Sequence, residues 1–271
     1  MLVGYRAMLF DILTIFPGMF ASPLREGIIR RAIEQGRIIV NLHNIRDFAT
    51  DKHKMTDDRP FGGGEGMVMK PEPLVAALGS VRKQGEPGRV ILLSPRGKTY
   101  SQRTAERLAG YERLLLVCGR YEGVDERVRR CCVDEEISLG DYILTGGEIG
   151  AMVIVDSVTR LLPGVLGCGD SALNDTFSRG MLKHPQYTRP RVFAGMEIPE
   201  ILLSGDHAEI EKYRFLESVR ETLKRRPELL AQVSFTAGER KLLEKSGLMI
   251  QVAEALRRRV NNKLAGDCAQ V

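Results

Sequence analysis

Residues 114–150 read LLLVCGRYEGVDERVRRCCVDEEISLGDYILTGGEIG, apolar strands broken by glycine-bearing polar loops too elaborate for simple turns. Leu114 to Cys118 is a continuous apolar run, the pattern of a strand buried on both faces. It stops at Gly119-Arg120-Tyr121-Glu122-Gly123, where a glycine on each side of the triplet lets the backbone turn sharply and lets a ligand approach main-chain N–H and C=O groups. A second strand around Glu136 to Leu139 ends in Gly140-Asp141-Tyr142, and a third loop follows at Thr145-Gly146-Gly147-Glu148. Three such loops at strand ends predict one pocket.

Around this stretch, 271 residues with 43% hydrophobic and 28% charged content are enough for one large or two moderate globular domains. The apolar runs fall short of the roughly 20 residues of a membrane span. The start, MLVGYRAMLFDILTIF, lacks a signal peptide's basic front and small-residue cleavage site, so a cytoplasmic location is expected. The 5 cysteines, Cys118, Cys131, Cys132, Cys168 and Cys268, form no CxxC pair and are read as reduced thiols. A net charge of +5 permits a polyanionic partner without demanding one.

Upstream, Met8 to Phe16 reads as a strand closed by Pro17-Gly18. Leu24 to Glu34 carries a helical stripe at Leu24, Ile28, Ile29 and Ile33, ended by Gly36, and Arg37 to Ile45 reads as a strand. Strand, helix, strand is the grammar of a parallel α/β sheet. The charged stretch from Asp47 to Met69 with its run Gly62-Gly63-Gly64 is either a surface loop or a substrate loop offering Arg59 and Phe61. A helix from Pro71 to Lys83 and a strand from Arg89 to Leu93 follow. Gly97-Lys98-Thr99 imitates the end of a phosphate-binding P-loop, but the pattern's first glycine falls on Leu92, which cannot make that turn. No GxGxxG run follows a strand either, which removes the usual dinucleotide fingerprint.

Downstream, Ala151 to Leu162 is expected to be a helix burying Met152, Val155, Val158 and Leu162. Arg160 near its end reads as a surface cation at a helix C-terminus. Gly164 to Gly180, poor in large apolar residues, reads as an interdomain linker, and its Asp175 as a cap or turn former. The remainder reads as a helical domain. It has one helix over Glu209 to Lys224 and a final one with Val252, Leu256, Val260 and Leu264 in a row, Arg257, Arg258, Arg259 and Lys263 being turned largely away. His184-Pro185-Gln186-Tyr187-Thr188-Arg189-Pro190-Arg191 has a composition suited to gripping a nucleic-acid backbone.

Seven motifs then line up in order: Arg59-Pro60-Phe61-Gly62-Gly63-Gly64, Leu93-Ser94-Pro95, Val117 to Gly123, Ser138-Leu139-Gly140-Asp141-Tyr142, Gly146-Gly147-Glu148, Pro163 to Gly167 and Tyr187-Thr188-Arg189-Pro190. Together they resemble the motif series of the bacterial tRNA (guanine-N1-)-methyltransferases, the TrmD family of the SPOUT class, up to about Leu230. Ile149-Gly150 and Lys183 to Gln186 depart from the family's pattern.

The resemblance implies an α/β fold, a SPOUT-type parallel sheet with a deep trefoil knot in an N-terminal domain (residues 1–166). A flexible linker (167–180) and a small helical tRNA-binding domain (181–271) would follow. The sequence rules alone would draw an open doubly wound sheet, since knots are nearly absent from proteins. The resemblance further implies S-adenosylmethionine as methyl donor, held by Leu93, Ser94, Pro95, Gly119, Glu122, Ser138, Leu139, Gly140, Asp141, Tyr142, Ile143, Leu144, Gly146 and Gly147. It implies methylation of N1 of the guanine at position 37 of tRNA after a preceding G, with Asp175 as general base and Arg160 stabilising charge on O6. Magnesium is implied as an aid, and a homodimer with active sites shared between subunits. A non-catalytic RNA-binding module and a SPOUT enzyme methylating ribose 2′-oxygens are the alternatives.

Overall fold

The computed structural model describes residues 6–82, 88–167 and 175–257. The chain divides into two compact units, Met1–Gly169 and Asp170–Val271. Cys168, part of the expected linker, Cys268 and the end of the final basic helix from Arg258 onward, with Val260, Lys263 and Leu264, lie outside the described residues.

The first unit alternates strands and helices. In chain order they are β1 (Met8–Thr14), α1 (Gly27–Glu34), β2 (Ile38–Asn44), the short strands β3 (Asp57–Asp58) and β4 (Val68–Met69), α2 (Pro71–Arg82) and β5 (Arg89–Thr99). Then come α3 (Gln102–Leu108), β6 (Arg113–Cys118), α4 (Glu126–Cys132), β7 (Glu135–Ser138) and α5 (Glu148–Thr159). Five strands form one sheet in the order β2-β1-β6-β5-β7, and every neighbouring pair is parallel. All six residues of β6 are buried because the sheet is covered on both faces. On one face Phe10, Ile12, Ile91, Leu114 and Leu116 meet Ile29, Ala105, Leu108, Ala151 and Ile154 from α1, α3 and α5. On the other, Leu13, Val90, Leu92, Leu115 and Val117 meet Leu74, Ala77, Leu78 and Val81 of α2 and Val128 of α4. The edge strand β2 leaves Ile39 45% exposed.

One charged cluster lies within this layer. Asp11 on β1 accepts from Arg113 Nε at 2.7 Å and from Asn41 Nδ2 at 3.1 Å, and its Oδ1 lies 2.7 Å from His43 Nε2. Both partners of the Asp11–Arg113 pair have side chains only 1% exposed. Burial pushes the Asp11 carboxyl up, but bonds from His43, Arg113 and Asn41 together with the Arg113 charge outweigh it and hold the carboxyl below its ordinary value of 3.8.

Strand β5 runs past its expected end at Leu93. Leu93 and Lys98 both pair with Ile137 of β7, so Ser94-Pro95-Arg96-Gly97 bulges out of the ladder. A Cβ on Gly97 would overlap the Glu136–Ile137 peptide. Thus the glycine that imitates a P-loop serves close strand approach. Helix α5 begins at Glu148, three residues before the expected Ala151. It ends at Thr159, short of the expected Leu162, and buries Ala151, Ile154, Val155 and Val158, while Met152 and Leu162 of the expected stripe are only partly buried against the same core.

The second unit contains a hairpin of β8 (Val192–Phe193) and β9 (Met196–Glu197). Its two turn residues, Ala194 at φ 51 and Gly195 at φ 76, have the left-handed backbone of a type I′ turn. Helix α6 (His207–Arg225) is capped by Asp206, which accepts from Ala208 N and Glu209 N. Helix α7 (Ala237–Lys245) opens with a Thr236–Glu239 capping box. Residues 248–257 are helical up to the last described position. Met181, Val219, Leu230, Leu243, Leu248 and Val252 form this unit's core, with Leu256 packed against it.

Candidate active site

Beyond the carboxyl ends of β5, β6 and β7, where α/β sheets bind ligands, lies a cavity of about 410 Å³. Its size is that of small-molecule pockets, roughly 300–1,000 Å³. Main-chain bonds tie the loops around it together. After β6, Gly119 O accepts from Gly147 N at 2.9 Å, and Arg120 forms an antiparallel bridge with Gly146. The same loop bonds on its other side to residues 67–69, through Glu122 N to Met67 O and Met69 N to Gly123 O, both 2.9 Å. Gly123 turns the chain there at φ 113. Gly147 is required by contact, because a Cβ there would lie 2.8 Å from Cys118 Cα and 2.9 Å from Leu93 Cβ. Burial pushes the Cys118 thiol well up, helped by the Glu148 charge, so it serves packing and not nucleophilic chemistry.

The bulge contributes Leu93, Ser94 and Pro95 to the wall. The loop after β6 contributes Gly119 and Glu122, the end of β7 contributes Ser138, Leu139 and Gly140, and the segment leading to α5 contributes Tyr142, Ile143, Leu144, Gly146 and Gly147. Ser138 Oγ accepts from Gly140 N and faces Gly140 O, each at 3.1 Å, which locks the exit from β7. Of the pocket residues expected from sequence, Asp141 alone is outside the wall. Tyr142 N donates to Gly140 O at 2.9 Å, a three-residue turn that leaves Asp141 exposed at its tip.

The wall also takes in Arg96, Arg120, Tyr121, Arg129, Glu136, Thr145 and Gly150, which the motifs do not assign. Arg120 and Tyr121 stand inside the triplet that marked the loop. Arg96, on the bulge, had no signal beyond its place after Pro95. Glu126, at the start of α4, gathers Arg129, Arg130 at 2.9 Å and Arg96 at 3.8 Å. Arg129, then Arg130, draw its carboxyl down to about 2. Arg129 also holds Glu136 at 2.8 Å, so its charge in the wall is already matched by carboxylates.

Arg160 ends α5, its N–H donating to Asp156 O at 3.2 Å, and is half-buried. Asp175 belongs to the second unit. Its Oδ1 accepts from Thr176 N at 3.3 Å and lies 3.7 Å from Lys183 Nζ, while its carbonyl receives Ser178 N at 3.3 Å. Each of the two residues is thus placed within its own unit. Among the described residues no group of three or more His, Cys, Asp and Glu side chains could hold a metal ion. No described helix is long and apolar enough to cross a membrane.

Comparison with known proteins gives this geometry a family. The family model described as tRNA (Guanine-1)-methyltransferase TrmD matches residues 8–232. The tRNA (guanine-N(1)-)-methyltransferase of Geotalea uraniireducens is 55% identical over 237 residues, 88% of this chain and 96% of that protein. The protein of the same name from Geobacter sulfurreducens is 52% identical over 243 residues, 89% of this chain and 99% of its own length. The crystal structure of tRNA (m1G37) methyltransferase from Aquifex aeolicus matches with a TM-score of 0.68 at 41% identity, covering 82% of this chain and 94% of that one. The parallel sheet and the loops at its carboxyl end are therefore those of a known enzyme family, and the chain belongs to the tRNA (guanine-1)-methyltransferase TrmD family.

Proposed function

We propose that this protein methylates N1 of the guanine at position 37 of tRNA, beside the anticodon and after a preceding G, with S-adenosylmethionine as donor. The observation that carries the reading is the cavity itself. Leu93, Leu139, Ile143 and Leu144 give it apolar surface for an adenine, and the glycine loops present main-chain groups to the polar parts. S-adenosylmethionine, when bound, supplies a methyl group on a sulfonium sulfur. Guanine N1 carries a proton at neutral pH, so a base must remove it as N1 attacks, and negative charge then develops on O6. Asp175 takes that proton. Arg160, with its planar fork of donors, holds O6.

On this reading residues 1–166 form the cofactor domain with its trefoil knot, 167–180 the linker, and 181–271 the tRNA-binding domain of a cytoplasmic homodimer whose sites are shared between subunits. Magnesium finds no cage among the described residues, and the proposed proton transfer does not use it. The test is methylation of tRNA transcripts carrying G or A at position 37, with nuclease digestion and mass spectrometry to identify the methylated atom. A methyl group on N1 of G37, and none on the A37 transcript, is expected. A methyl group on a ribose 2′-oxygen, or failure to bind S-adenosylmethionine, would sink the reading.

A further inference from the structure

Glu148, the last residue of the Gly146-Gly147-Glu148 motif, is an acidic residue that is fully buried, and the proposed reaction gives it no part. It stands at the first position of α5, where the helix dipole favours an anion. Its two carboxylate oxygens have different partners. Thr14 at the end of β1 donates to Oε1 at 2.8 Å, and Arg120 Nε donates to Oε2 at 3.0 Å. The Thr14 hydroxyl itself accepts from Phe16 N at 2.9 Å, which directs its one proton at Glu148. Arg120 in turn lies over the Phe16 ring, 4.5 Å from its centroid. Phe16, Thr14, Glu148 and Arg120 therefore close a circuit. Gly146 makes room for it, since a Cβ there would meet the Arg120 side chain and come within 2.6 Å of Glu148 Oε2.

We propose that Glu148, oriented by Thr14, is a positioning residue for the cofactor pocket, acting through Arg120 to hold the loop of residues 119–123 against Gly146-Gly147. Arg120 lines the cavity, and its side chain is 14% exposed and already paired with Glu148. The pair fixes the two loops that the Gly119–Gly147 main-chain bond joins. A carboxylate is needed because a neutral amide at 148 leaves Arg120 free to turn to water, and the loop it belongs to loosens.

This inference rests on the pocket's taking S-adenosylmethionine, and calorimetric titration of the full-length protein with that compound, well below its melting temperature, tests both. Glu148→Gln is expected to raise Kd by ~10–100-fold, the scale on which removing a residue that orients a ligand-contacting side chain weakens binding at metal sites, with the fitted stoichiometry unchanged because the protein remains folded. Thr14→Val, which keeps both charges, should raise Kd by a smaller factor. In an Arg120→Met background Glu148→Gln should add nothing further. An unchanged Kd with only a lower melting temperature would show a merely structural role and overturn the proposal. If Glu148→Gln does not fold, the Thr14→Val and Arg120→Met titrations decide, and wild-type Kd values in both overturn it. Failure of the unsubstituted protein to bind would instead defeat the reading of the pocket on which this rests.

Discussion

Residues 119–148 and residues 186–197 are both rich in loops, and the structure treats them in opposite ways. In the first, backbone bonds reach Gly147 and Met67, and a buried carboxylate joins three elements. In the second, every residue from Tyr187 to Glu197 is exposed, and the hairpin at its end holds Val192, Phe193 and Met196 in solvent. A region that has already given up its conformational freedom suits a small ligand, which has little surface to offer in exchange for ordering a loop. An open basic and aromatic segment suits a large polyanion that can cover it.

The sharpest way to break this comparison is at Asp175, the residue of the second unit proposed to do chemistry. Asp175→Ala should lower the single-turnover methylation rate by ~10²–10⁴-fold, the usual weight of a general base, and leave S-adenosylmethionine affinity as it was. Gly147→Leu should abolish that affinity, because even a Cβ collides with Cys118 and Leu93. If sites are shared between subunits, mixing the two inactive variants and allowing exchange creates dimers in which one site has an intact pocket from one chain and Asp175 from the other. Activity should return, and continued silence after verified exchange counts against sharing.

Next in size is an effect confined to the sheet. Asp11→Asn leaves the buried Arg113 guanidinium uncompensated, and losing one partner of a buried pair costs about 3–5 kcal/mol. Denaturant unfolding measures it, and the folded variant should bind S-adenosylmethionine normally. The pH dependence has a definite sign. Because the folded carboxyl titrates below 3.8, the contribution of Asp11 is complete above that value and is lost as pH falls through the folded pKa. The stability gap between the two proteins should therefore close in acid. A gap independent of pH would show that Asp11 acts by shape alone.

Arg160→Lys is a gentler probe of the proposed chemistry. It keeps the charge and loses the fork, so a fall in rate of up to ~10²-fold is expected, as when an oxyanion donor is removed, with little change in cofactor affinity. Collapse of affinity at an undiminished saturating rate would place Arg160 in the pocket instead.

The same contrast explains what could be read from sequence. Strand β6 announced itself because it is buried on both faces and nearly all apolar, and the glycines after it marked the loops because close backbone approach leaves few alternatives. Helices α3 and α4 carry no such stripe: α3 buries only Ala105 and Leu108, and α4 only Val128. The true start of α5 was hidden by burial of a charged residue, Glu148, which composition assigns to the surface. Its partner Thr14 is 134 positions away, and no local pattern connects them. Likewise the bulge in β5 depends on Leu93 and Lys98 sharing one partner across the sheet.

The smallest expected effect sharpens the other side of the comparison. Arg189 and Arg191 are exposed next to Tyr187, in a stretch whose composition suits phosphate binding. If they neutralise tRNA phosphates, replacing both by alanine weakens binding uniformly across tRNA sequences, and the slope of log affinity against log salt falls by about 1 for each phosphate no longer neutralised. The signature is in the slope and not in the size of the loss. A structural disturbance of the hairpin would weaken binding at all salt concentrations alike and leave the slope in place. Filter binding of a G37 transcript from low to moderate salt distinguishes the two, and cofactor titration serves as the control, since the ordered pocket should not feel the change. An unaltered slope would remove these arginines from the RNA-binding surface.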